Sequence, residues 1–73
     1  MGNLDWNSSF AIAKALRRKY SSVEIDDISL EMIYRWTLEL PDFEDDPALA
    51  TYEMLAAIYQ EWYEAIITES DKR

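Results

Sequence analysis

Three stretches of the chain repeat apolar residues at helical spacing, and the polar stretches between them do not. After Asn7 and Ser8, either of which can cap a helix by accepting a backbone N–H, the positions Ile12, Ala13, Leu16 and Tyr20 predict a first helix over about residues 9–20. Its last turn holds Arg17, Arg18 and Lys19, where positive charge opposes the negative end of the helix dipole, worth roughly 0.3–1 kcal/mol each. Residues 21–28 mix serine, β-branched and acidic side chains without a helical period, which predicts a loop with a short extended piece around 23–25. A second helix is expected from Ser29 as cap to Leu40, with Ile33, Trp36, Thr37 and Leu40 on one side and Pro41 as the stop.

Asp46-Pro47 is a start signal for a third helix, because aspartate caps free N–H groups and proline at the first helical position lacks the donor that would go unpaired. That helix is expected over about residues 47–67. At roughly 100° per residue, Ala48, Tyr52, Leu55, Ile58, Tyr59, Trp62 and Ile66 form one stripe, and Glu53, Ala57, Gln60, Glu61 and Glu64 lie opposite. The pattern is lost after residue 67, so a frayed tail is expected to Arg73. The predicted fold is all-α, a small three-helix domain without repeats or a linker long enough to divide it. Trp6, Trp36 and Trp62 are expected in its core, and Phe43 and Tyr52 are expected to anchor the segment before the third helix onto that core.

Composition narrows the chemistry. A chain of 73 residues buries only roughly 60% of its unfolded surface, yet 49% of the residues are apolar and 14% aromatic, which supports a folded domain rather than an acidic tail. There is no cysteine and no histidine. Disulfides, thiolate metal sites, persulfide chemistry and the usual neutral metal ligand and general base are therefore all removed. No apolar run approaches the roughly 20 residues of a membrane span, and the Met1-Gly2-Asn3-Leu4-Asp5 start lacks the basic and apolar regions of a signal peptide. A soluble cytoplasmic protein is expected.

The net charge of −8 is unevenly placed. Residues 1–37 balance Asp5, Glu24, Asp26, Asp27 and Glu31 against Lys14, Arg17, Arg18, Lys19 and Arg35, whereas residues 38–73 set all the remaining acids against only Lys72 and Arg73. An acidic half repels phosphate backbones and attracts cations or basic proteins through fields that salt weakens. Nucleic acid is not an expected partner, and three bases in one turn do not make a basic face.

The most specific feature is Pro41-Asp42-Phe43-Glu44-Asp45-Asp46-Pro47, in which like charges are crowded around one aromatic. Capping needs only Asp46, so Asp42, Glu44 and Asp45 serve something else. Hard oxygen ligands suit Fe²⁺, Mn²⁺, Mg²⁺ or Ca²⁺, although without histidine such a cluster is expected to bind them weakly, at micromolar affinity or about −8 kcal/mol at best. The segment lacks the glycine turn and spaced ligands of an EF-hand. Glu53, Glu61 and Glu64 fit equally well as solubilising charges or as a second part of a docking surface.

Together with Leu4-Asp5-Trp6-Asn7-Ser8, the run Ile12, Leu16, Tyr20, and Trp36, Leu38 and Leu40 ahead of the acidic segment, these residues resemble the IscX family of bacterial iron-sulphur cluster assembly proteins. Leu55, Ala57, Ile58 and Trp62 continue the likeness, which covers about residues 4–64. Two departures are Glu44, where the family pattern has aspartate, and the extension 66–73 with its Lys72 and Arg73. The resemblance implies a winged-helix-like arrangement of the helices, weak binding of ferrous iron by Asp42, Glu44, Asp45 and Asp46, and docking on the cysteine desulfurase. The docking surface would comprise Asp42, Phe43, Glu44, Asp45, Asp46, Glu53, Glu61 and Glu64, meeting a basic patch that frataxin also uses and tuning sulfur delivery. An acidic interaction module with an iron-independent basic partner is the alternative. An enzyme with paired carboxylates would need one of them buried in a cleft that so short a chain cannot build. No catalysis is expected, and a monomer is, since one small core consumes the apolar stripes.

Overall fold

The computed structural model describes the backbone of residues 4–70 and the side chains of residues 4–68. Helix α1 is Ser9–Lys19, α2 is Leu30–Leu38 and α3 is Tyr52–Ser70, with single 3₁₀ turns at Ile25–Asp27 and Pro47–Leu49. Among the described residues the β-pairing is limited to one isolated bridge, Leu4 with Phe43, and there is no strand or β-hairpin wing. The chain is all-α, as its periodicity predicts.

Helix α1 follows the pattern to within a residue and buries Ile12, Ala13 and Leu16. Its entry is built differently from the expected cap. The Ser8 hydroxyl donates to Asp5 Oδ1 at 3.0 Å and makes no cap to the helix, and Asn7 is exposed, its N–H donating to the same Asp5 oxygen at 3.0 Å. The short range from Asp5 to Ser8 is thus a turn organised by the aspartate.

Of the expected extended piece at 23–25, Glu24 is extended, and the loop then forms the 3₁₀ turn Ile25–Asp27, with the Ile28 N–H donating to the Ile25 carbonyl at 3.2 Å. Ser29 caps α2 as expected, accepting from Met32 N at 3.2 Å. The helix stops at Leu38 rather than Leu40 because Pro41 disfavours helical geometry before it, and the end tightens into 3₁₀ bonds from Glu39 N to the Trp36 carbonyl and from Leu40 N to the Thr37 carbonyl, each 3.1 Å.

The third helix departs most from expectation. Asp46 and Pro47 do start a helical turn, with Asp46 Oδ1 accepting from Ala48 N at 3.0 Å, but the turn ends at Leu49 and Ala50 is extended. A second start follows at Thr51, whose Oγ1 accepts from Met54 N at 3.1 Å and whose carbonyl accepts from Leu55 N. The break takes Ala48 and Tyr52 out of the apolar stripe. Both are exposed, Tyr52 by 74%, so Tyr52 does not anchor the acidic segment. Leu55, Ile58, Tyr59, Trp62 and Ile66 keep their inward positions, and α3 continues to Ser70, past the expected end near residue 67. Residues 71–73 of the expected tail lie outside the described residues.

The core comprises Trp6, Ile12, Ala13, Leu16, Ile28, Ile33, Leu40, Ile58 and Trp62. α1 and α3 form the main helix pair, and α2 packs chiefly on α3. Trp36 is not a core residue as expected. It is half-buried at the edge, stacked on Tyr20 with ring centroids 4.0 Å apart and tilted against Trp62 at 6.3 Å.

Candidate functional site

The acidic segment is held by the first residues of the chain. Leu4 N donates to the Asp42 carbonyl at 3.0 Å and Glu44 N to the Leu4 carbonyl at 2.9 Å, which fixes the backbone of 42–44 against the N-terminal segment. Phe43 turns inward and meets the buried Trp6 edge-to-face at 4.7 Å, while Tyr34 stacks parallel to Trp6 at 5.9 Å. The Trp6 indole N–H donates to the Asp46 carbonyl at 2.8 Å. Phe43 is therefore the anchor that the sequence predicts, and its aromatic partner is Trp6.

The carboxylates of the segment divide into two kinds. Asp45 is half-buried and accepts twice, from Trp6 N at 3.1 Å on Oδ2 and from Asp46 N at 2.7 Å on Oδ1. Asp46 accepts from Ala48 N. Both carboxylates thus satisfy backbone donors, a role that a crowded charge can fill without a ligand. Asp42 and Glu44 are exposed, and their carboxylates make no hydrogen bond or ion pair among the described residues. Asp42 lines a shallow cavity with Arg18 and Lys19, so the basic turn of α1 lies beside one end of the acidic segment. That neighbourhood is absent from the sequence reading, which assigned the bases to capping alone.

The four expected iron ligands do not form a built metal site. Among the described residues no three carboxylates come together to hold an ion, and Asp45 and Asp46 already accept backbone hydrogen bonds. Glu53, Glu61 and Glu64 differ in their surroundings. Glu53 borders the N-terminal segment near Trp6 and Asn7, half-buried Glu61 faces Lys14 and Arg17 of α1, and exposed Glu64 accepts from Gln60 Nε2 at 2.9 Å. A cavity of about 500 Å³ is lined by Lys14, Arg17, Arg18, Glu24 and Trp62 among others and includes none of residues 42–46.

No helix among the described residues is long and apolar enough to cross a membrane. The geometry is that of an acidic edge: exposed carboxylates on a segment that is fixed from behind by an aromatic and by backbone hydrogen bonds. A family model described as iron-sulphur cluster assembly matches residues 4–66, which takes in the held N-terminal segment, the acidic segment and most of α3. The chain is also 32% identical over 62 residues to an uncharacterized protein of Pseudomonas aeruginosa, covering 85% of this chain and 94% of that one.

Proposed function

The chain belongs to the iron-sulphur cluster assembly family, which the sequence resemblance identifies as IscX, and from that premise we propose that it is a non-catalytic adaptor docking on the basic surface of the cysteine desulfurase. The observation that carries this reading is the division of carboxylates in 42–46. Asp42 and Glu44 stay exposed and without partners among the described residues, on a segment rigidly tied to Trp6. A preordered charged loop loses little conformational entropy on binding and steers an oppositely charged partner from a distance. Docking beside the desulfurase active site would tune sulfur delivery and place the protein in competition with frataxin for the same patch.

The docking role does not require an iron site in the acidic segment. It is tested by co-purification of the tagged chain with its own organism's cysteine desulfurase at low ionic strength, with added frataxin as competitor. The expected result is a complex that frataxin displaces. Absence of any complex would overturn the reading and leave an acidic module with a different basic partner.

A further inference from the structure

A groove of about 420 Å³ runs between the start of α2 and the first half of α3, lined by Ile28, Leu30, Tyr52, Ala56, Tyr59 and Gln60, with Ser29 at its edge. Its walls are mostly apolar and no basic residue lines it. Tyr52 stands at one end with most of its ring in solvent. Gln60 stands at the other, and its side-chain amide holds the Glu64 carboxylate 2.9 Å away. The eight-residue step from Tyr52 to Gln60 corresponds to about 12 Å of helix. Exposed acids neighbour its α2-side lining residues in sequence: Asp26 and Asp27 precede Ile28, and Glu31 follows Leu30.

An apolar trough with an exposed aromatic at one end, a carboxylate held by Gln60 at the other and acids next in sequence to its α2-side residues is complementary to long cationic side chains. Arginine and lysine cover apolar surface with their aliphatic stems while the charged head reaches a carboxylate or the face of an aromatic ring. We infer that this groove receives a basic segment of a protein partner, one arginine stacking on the Tyr52 ring and a second cation reaching Glu64. This inference rests on the docking role above and extends it, because the groove contains none of residues 42–46 and would form a second contact of the same acidic molecule. It also gives a role to the helix break at Thr51, which turns Tyr52 outward instead of into the core.

The test uses the full chain with the desulfurase and, in parallel, with a short peptide carrying two arginines three residues apart and the same peptide with glutamines. Tyr52→Ala is expected to weaken desulfurase binding at least tenfold, Tyr52→Phe to leave it within about twofold because the ring face is what matters, and Glu64→Gln to weaken it several-fold. Circular dichroism of each variant checks folding, which substitution of so exposed a tyrosine should preserve. If Tyr52→Ala and Glu64→Gln bind like the parent while Asp42→Asn/Glu44→Gln does not, the groove is overturned and the docking role survives. If no desulfurase complex forms, the docking role fails and the peptide decides the groove. Saturable shifts of the Ile28, Tyr52, Ala56 and Gln60 amides with the arginine peptide alone support it, and equal or absent shifts with both peptides overturn it. Concentration-dependent shifts of the same amides without any probe would identify a second copy of this chain as the occupant and overturn the basic partner.

Discussion

The Asp45 carboxylate accepts hydrogen bonds from two backbone N–H groups, one of them 39 residues away at Trp6. Removing it leaves the part-buried Trp6 N–H without its acceptor, which costs about 1–3 kcal/mol, while the exposed Asp46 N–H can turn to water. Asp45→Ala is therefore expected to lower the melting temperature by roughly 4–8 °C for each kcal/mol lost in a chain of this size, as read by thermal circular dichroism. An unchanged midpoint would show that Asp45 is an ordinary surface charge. Thr37 predicts the opposite sign. It is fully buried and its Oγ1 has no hydrogen-bond partner among the described residues, so Thr37→Val keeps the shape, removes a desolvated hydroxyl and is expected to stabilise the fold by about 1 kcal/mol. A lower midpoint for that variant would mean the hydroxyl is satisfied in solution. Trp6 and Trp62 are the largest buried side chains, and truncating either to alanine is expected to cost about 3–5 kcal/mol, enough to unfold most of the population.

At the scale of elements, Thr51 decides where α3 begins. Thr51→Ala removes the acceptor of Met54 N and is expected to cost about 1 kcal/mol, with faster amide exchange confined to the first turn of α3. Protection unchanged at Met54 and Leu55 would contradict the cap. Helix α1 was legible to within a residue because its apolar spacing meets no competing signal. The start of α3 was not, because Asp46-Pro47 and Thr51 are both valid starts four or five residues apart. Local propensity does not choose between them. The chain is fixed there by contacts distant in sequence, the Trp6 indole on the Asp46 carbonyl and the Leu4–Phe43 bridge. The same long-range ties explain why composition identified the acidic segment but not its division. Aspartates that cap backbone donors and carboxylates left exposed look alike in sequence and differ only in whether a backbone N–H arrives from elsewhere.

Across the whole molecule, charge is sorted rather than mixed. The acidic excess lies in residues 38–73, whereas Lys14, Arg17, Arg18 and Lys19 gather on α1, two of them beside Asp42. The field towards Glu44, Glu53 and Glu64 is thus less compensated than that at Asp42. An interface built on such charges is steered electrostatically, and its association rate falls as the screening length drops from about 10 Å at 0.1 M salt. The most direct measurement is a binding titration of the chain against its own organism's cysteine desulfurase at two salt concentrations, comparing the parent with Asp42→Asn/Glu44→Gln and with Asp45→Asn. The account predicts saturable binding that weakens with salt, a loss of about tenfold or more in the Asp42/Glu44 variant without a change in melting temperature, and a smaller loss in Asp45→Asn that follows its stability. Binding that ignores both salt and the removal of Asp42 and Glu44 would contradict it.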